Sequence, residues 1–568
     1  MKRIITKYII LILVTFLISI LIYNYIESFK SIDTEKDILV TQKEKENSYL
    51  QNTNYTLDNP NIIINPYGNS PLTALVVFQT KDLTTAEVTI KGKNGSQDIS
   101  HTFTPSKIHI LPIYGLYADY DNKIIITASN KTKEINIKTD KLPKDFTVAT
   151  NINVETNDEE FYFTTPENSG YTAAYDSKGD VRWYLIGDYR WNLQRLSNGH
   201  ILLSNDKTIS GSYSSGLTEI DLLGKIYYEY IIPGGFYKSV IELNNGNLLA
   251  LSNNLEGDTK EDFIVEIDRS TGNIIKTIDL STILKNKEKG NWFKATSLAY
   301  DSNTNSITIT GYNKNMLVNI DYSSLNLNWV IGKIIPNNLK NYELKNDSNS
   351  SYPEKPLSVN IIGNNKILFV NEKNNQRYLT TYEINYSNRL FKEIDNYQLN
   401  TNEDTYIDII DNNNYMVTRN NQIAEIKDKK IVTTIDINST LYNTKKMPLY
   451  ANDIYTGVDG IRLGTLGKSK TTNSYTVLFS SKDKSIFKKY NLSLYKDVLG
   501  LKVSGTFDKK DSVQIILDNF LDKKTYELDT ENKKDYRYIS EDGIKGKYYI
   551  YLRINGKIYK LGNCVTFN

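Results

Sequence analysis

The sequence predicts an all-β chain built around a six-bladed propeller, and three observations carry that reading. A hydrophobic, turn, hydrophobic unit recurs about every 45 residues between 171 and 466, the period of propeller blades. The chain holds 43 Tyr against 17 Phe, 12 Pro and 3 His. Tyrosine suits half-exposed strands, since its ring packs while its hydroxyl stays wet. Asn-Gly and Asp-Gly turns sit between the apolar runs, where hairpins need a positive φ. At 568 residues the chain has room for several cores.

The first 30 residues differ from the rest. Tyr8 to Ile26 is an apolar run that spans about 28 Å as a helix, enough for a bilayer core. Lys2, Arg3 and Lys7 precede it and Glu27, Asp33 and Glu35 follow, so the positive-inside rule places the body outside the cytoplasm. A retained signal anchor in the cell membrane is favoured over a cleaved signal peptide, because no small-x-small site follows the run. Residues 31–54 are polar and read as a stalk, with a helix allowed within KDILVTQKEKENSYLQN.

Residues 55–145 alternate short apolar runs with turns, as in PLTALVVFQT, AEVTIKGKNG and NKIIITAS, and predict a small β-sandwich. The propeller is expected over 146–470. Its copies include AAYDSKGDVRWYL with LQRLSNGHILLSN, TEIDLLGKIYYEY with VIELNNGNLLALSN, and a weaker sixth, AEIKDKKIVTTI with YTGVDGIRLG. Residues 146–166 precede the first copy and are expected to lend a strand to the last blade, closing the ring. A solenoid of the same period is disfavoured by the lack of helical segments. Residues 471–568 read as a β appendage, either a separate sandwich or an added layer.

Composition excludes several functions. The formal net charge of +2 gives no field for nucleic acid. Cys564 alone cannot make a disulfide framework or a thiolate metal cluster, and His101, His109 and His200 lie far apart in sequence, so no metal or cofactor is expected. The Asp-Asn turns at 301–305 and 411–414 lack EF-hand spacing and read as hairpin loops. No phosphate-binding glycine loop, dinucleotide fingerprint or nucleophile elbow is present.

Several stretches resemble bacterial arylsulfate sulfotransferases. NPYGNSPLTALVVF at 65–78 and HILPIYGLYADYDN at 109–122 resemble the N-terminal domain of that family, and EIDRSTGNII at 266–275, NWFKATSLAYDSNTNSI at 291–307 and LVNIDYSSLNLNWVIG at 317–332 resemble its propeller. The resemblance implies transfer of a sulfuryl group from a phenolic sulfate to another phenol through a sulfated histidine, with further histidines, an arginine and an asparagine holding the sulfuryl oxygens at the propeller axis. It also allows a homodimer through the N-terminal domain.

The family's axial histidine stands eight residues before a blade's turn glycine. Counted back from Gly246 that position is Lys238, and from Asn365, which replaces the glycine, it is Leu357, where the nucleophile belongs. The other family positions fall on Lys294, Thr296 and Tyr312. None is the residue the chemistry needs, and His200 is expected to be structural or exposed at a blade edge. The expectation is therefore a catalytically degenerate propeller whose axial mouth presents Trp191, Lys238, Lys294, Tyr312, Leu357, Thr405 and Asn452 to a small anionic or aromatic ligand. The alternative is an active transferase with a rearranged site around Lys238 and Lys294, which needs a lysine of depressed pKa.

Overall fold

The computed structural model describes residues 7, 12–20, 30–31, 38–50, 54–155, 160–166, 170–205, 207–210, 213–254, 258–347, 349–411, 413–451, 476–477, 484–496, 500–508, 510–519, 521–528, 535–540 and 544–567. They are nearly all strand, and the contacts divide the chain into two compact units. One holds 41–207 and 214–469; the other holds 1–40, 208–213 and 470–568.

In the larger unit, residues 61–138 form five strands linked by hydrogen bonds into one continuous sheet. Its two long strands, Ala74–Ile90 and Ile99–Ile113, break register between Gln79 and Thr84, so the same strands serve both halves. Val88 and Ile90 alternate toward the core, as period-2 patterning requires, whereas residues 74–78 are buried throughout.

Six antiparallel sheets follow. Five begin with Leu193–Arg195, Val240–Glu242, Ala295–Asp301, Leu357–Ile361 and Thr405–Asp411, and each continues outward through three further strands in chain order. The sheet of Phe161–Pro166, Tyr171–Tyr175 and Val181–Ile186 is completed by Leu441–Met447, which takes the innermost place. It is the first sheet, and the others are the second to sixth. Ala149–Val154 joins the outer edge of the sixth, the strand donation the sequence predicted. The innermost strands of the third, fourth, fifth, sixth, first and second sheets lie against one another in that order, and the second and third sheets share a core that completes the ring.

The phase of the repeat differs from the sequence reading. LQRLSNGHILLSN is the inner hairpin of the second sheet, whereas AAYDSKGDVRWYL is the outer hairpin of the first. A 45-residue period does not say which connection crosses between sheets. The expected sixth inner hairpin, YTGVDGIRLG, lies outside the described residues. The turns behave as predicted: Gly199 and Gly246 have φ of 86° and 84°, and Asn365, standing in for a glycine, has φ of 61°.

A serine relay stitches the innermost strands together. Leu298 N–H donates to Ser239 Oγ at 3.3 Å, Val359 N–H to Ser297 Oγ at 2.5 Å and Ile407 N–H to Ser358 Oγ at 2.9 Å. Each bond joins one sheet to the next and satisfies a backbone donor that the sheets themselves leave over. The relay also fixes the equivalence of positions: Lys238, Thr296, Leu357 and Thr405 each precede a relay position. In the sixth sheet that position is Tyr406.

The polar spacer expected over 31–54 is not free over its second half. Ile38–Leu50 is a helix. Gln42 makes two hydrogen bonds with the Ile226 backbone, and Glu46 accepts from Tyr67 and pairs with Lys225 at 2.6 Å. Lys225 and Glu46 are both buried, so the pair is retained in low dielectric with its hydrogen bonds filled.

In the smaller unit, residues 470–568 form two sheets around a shared core that includes Leu494, Val503, Ile515, Ile550 and Val565. The described strands of the appendage thus pack as two facing sheets. Lys30–Ser31 lies parallel to Asn563–Cys564 at the edge of one sheet, and Ser210 pairs with Arg537 in the other. Of the apolar run 8–26, residues 12–20 are helical, and 8–11 and 21–26 lie outside the described residues. Among the described residues no helix is long and apolar enough to cross a membrane.

Candidate functional site

The sequence-predicted positions gather where the innermost strands begin. Trp191, Lys238 and Lys294 share a left-handed backbone, with φ of 50°, 56° and 52°, just before or at the start of their strands. Such a conformation is costly for residues with a Cβ and persists where surrounding contacts impose it.

Lys238 does not stand free in the ring centre. Its Nζ donates to the Tyr406 hydroxyl at 2.7 Å, and it lies 5.4 Å from the ring centroids of both Tyr406 and Tyr237. Tyr406 belongs to the sixth sheet, which is not a neighbour of the third, so this bond spans the ring. Burial alone pulls the Lys238 ammonium down, but the oxygens of Tyr406 and Tyr237 and the Asp404 carboxylate outweigh it and hold its pKa above the ordinary lysine value. An amine kept protonated has no lone pair to attack with.

Lys294 lies 4.3 Å over the Tyr312 ring, and the Arg377 guanidinium approaches the same ring at 6.0 Å. Arg377 is only 2% exposed. It donates to Asp404 Oδ1 at 2.8 Å and to the Lys355 and Glu403 carbonyls, which fix its plane. Sequence reasoning missed Arg377 and Tyr406. Arg377 begins an outer-sheet hairpin, and nothing in NNQRYL marks a residue that reaches back to the centre.

Other candidates turn away from any ligand. Leu357 is fully buried in the core between the fifth and sixth sheets. Thr296 is buried, with its hydroxyl on Thr310 Oγ1 and the Pro356 carbonyl. Thr405 bonds the Glu403 carbonyl. Trp191 is packed on Tyr442 in the core shared by the second and third sheets. Asn452 lies outside the described residues.

None of the three histidines stands at the ring centre. His109 stacks on Phe78 in the N-terminal sheet, and burial lowers its pKa. His200 is not at an exposed edge. Its Nδ1 meets the buried Glu219 carboxylate, which also takes a two-point contact from Arg269 at 2.8 and 3.0 Å and the Tyr230 hydroxyl at 2.7 Å. Burial pushes the Glu219 carboxyl up, but the bonds from His200 and Arg269 dominate and hold it far below the usual carboxylate range. His101 stacks on Tyr450 at 4.6 Å and lines a cavity of about 550 Å³ with Ser96, Asp176, Lys178 and Arg182, between the N-terminal sheet and the first sheet. Among the described residues no group of acids, histidines and cysteine is placed to hold a metal.

The family model "Arylsulfotransferase (ASST)" matches residues 131–446, and "Arylsulfotransferase Ig-like domain" matches 61–142. The chain belongs to the arylsulfotransferase family. Among curated relatives it is similar to arylsulfate sulfotransferase AssT of Lelliottia amnigena, 22% identical over 293 residues, covering 39% of this chain and 49% of the relative. It is also similar to AssT of Escherichia coli O6:H1, 23% identical over 296 residues, covering 40% and 49%. The chain thus spans about half the length of the curated relatives it matches. Among solved structures, the Myceliophteria thermophila Cps50 (Swd1) β-propeller domain aligns at 13% identity and a TM-score of 0.33, covering 52% of this chain and 85% of that one. Kluyveromyces lactis Hsv2p aligns at 13% and 0.29, covering 58% and 93%.

Proposed function

We propose that the six sheets are blades of one propeller, carried outside the cytoplasm on the apolar segment 8–26, and that its axial mouth binds a small anionic aromatic ligand without passing a sulfuryl group through histidine. The observation that carries this reading is the Lys238–Tyr406 hydrogen bond across the ring. It supports the reading because an ammonium bonded to a phenol offers a positive charge and an aromatic face side by side. Leu357 offers only buried hydrocarbon.

Lys294 over Tyr312 gives the cation and aromatic face that such a ligand needs, with Arg377 behind them. The anchor reading draws on residues 12–20, where Ile12, Leu13, Phe16 and Leu17 stay more than half exposed on a short helix.

Incubating the full chain with a chromogenic aryl sulfate and excess phenol tests the reading. The expected result is no turnover, together with calorimetric binding of the aryl sulfate that Lys294→Ala weakens. The rival, an active transferase around Lys238 and Lys294, draws on the same hydrogen bond, which sets an amine and a phenol hydroxyl side by side. Turnover that disappears in Lys238→Ala or Lys294→Ala establishes the rival.

A further inference from the structure

The strand Lys30–Ser31 carries directional information. It runs parallel to Asn563–Cys564, with Lys30 level with Asn563. The strand Lys557–Phe567 starts at the hairpin turn Asn555–Gly556, since Ile554 pairs with Lys557. The direction from Ser31 to Lys30 therefore points toward the Asn555–Lys557 end of the sandwich. Only residues 27–29 separate Lys30 from the apolar run, a reach of about 10 Å when extended, whereas Lys557 lies about 20 Å below the level of Lys30 at ~3.3 Å per residue. An anchor that ends at Ile26 draws this end of the sandwich into the headgroup layer.

The chemistry of that end suits such a place. Lys488, Lys489, Lys510 and Lys557 are exposed there, and Ile558 is 51% exposed. Lys557 lies 5.2 Å from the Tyr559 ring centroid and Lys489 4.9 Å from that of Tyr490. Both tyrosines are partly buried against the sandwich core. Lysines beside half-buried tyrosines match the boundary between hydrocarbon and anionic headgroups. Residues 470–568 contain 19 basic and 12 acidic residues in a chain whose formal net charge is only +2. Lysines also stand at the opposite end, around the Leu521 hairpin, so it is the polarity of Lys30–Ser31 that chooses between the two ends.

We propose that the C-terminal sandwich rests on the membrane by its Asn555–Lys557 end, with Lys488, Lys489, Lys510 and Lys557 against anionic lipid headgroups. This rests on the anchor reading above.

The full chain, reconstituted in vesicles of phosphatidylglycerol and phosphatidylcholine, tests the proposal. A fluorophore is placed on Ile558→Cys or on Leu521→Cys, with the buried Cys564 left unlabelled, and quenching by a lipid-borne nitroxide is read. The expected result is several-fold stronger quenching at 558 than at 521. It should fall toward the pure phosphatidylcholine level when all four lysines are changed to Gln. Equal quenching at both labels, stronger quenching at 521, or no response to the anionic lipid overturns the proposal. A carbonate wash judges the anchor separately. If it releases the chain, the anchor reading falls, and co-flotation of the released chain with phosphatidylglycerol vesicles then decides the surface. Flotation that depends on the four lysines sustains the surface; flotation that does not, or none, overturns it.

Discussion

Lys238 Nζ lies 2.7 Å from the Tyr406 hydroxyl, and the two residues come from sheets that are not neighbours in the ring. Tyr406 occupies the place that Ser239, Ser297 and Ser358 hold in the three preceding sheets. Where a serine would bond the next strand's backbone, the longer phenol crosses the centre instead. Removing that hydroxyl in Tyr406→Phe is expected to cost about 1.5 kcal/mol, the worth of a hydrogen bond to a charged group. Urea unfolding of variant and parent measures it, and an unchanged midpoint shows that the bond does not hold the ring.

Placing an imidazole at Leu357, where the family resemblance leads one to expect the nucleophile, is not expected to give sulfuryl transfer. Leu357 is fully buried among Leu368, Val370, Val417 and Ala424. Leu357→His buries a polar ring without a partner, and a loss of about 3 kcal/mol follows from desolvation and lost packing. The check is thermal melting together with the aryl sulfate assay. Turnover in a stably folded Leu357→His protein contradicts the expectation.

The serine relay predicts a structural phenotype far from any ligand. Ser297→Ala leaves the buried Val359 N–H unsatisfied, at a cost of about 1–3 kcal/mol. Ser297→Thr keeps a hydroxyl and should retain most of the stability, which separates the lost hydrogen bond from a general packing effect.

Glu219 gives a pH dependence with a definite sign. Its folded pKa lies below that of an unfolded glutamate, about 4.3, so the unfolded chain binds the extra proton first. The stabilisation is complete above about pH 5 and fades as pH falls below ~4 toward the folded value. Glu219→Gln should lose about 3 kcal/mol at pH 7, because the mostly buried Arg269 is left with Glu242 as its remaining carboxylate contact. The gap between the two melting temperatures should narrow in acid.

Glu46→Ala tests whether the Ile38–Leu50 helix belongs to the body. Lys225 then remains buried without its partner, and about 3 kcal/mol is expected to be lost. A variant as stable as the parent returns this segment to the role of a loose spacer.

By itself the sequence determined the strand-rich class, the 45-residue period and the strand that closes the sixth sheet. These rest on local patterning: hairpin turns at Gly199 and Gly246, alternating apolar runs, and fixed spacing from those turns. Only the tertiary structure decided the phase of the repeat, because a hairpin within a sheet and a crossover between sheets look alike in one dimension. It also brought Tyr406 to Lys238, 168 residues apart, and Arg377 to Tyr312. Contacts across a closed ring have no sequence period, since their partners depend on how many sheets complete the circle and which way each side chain points.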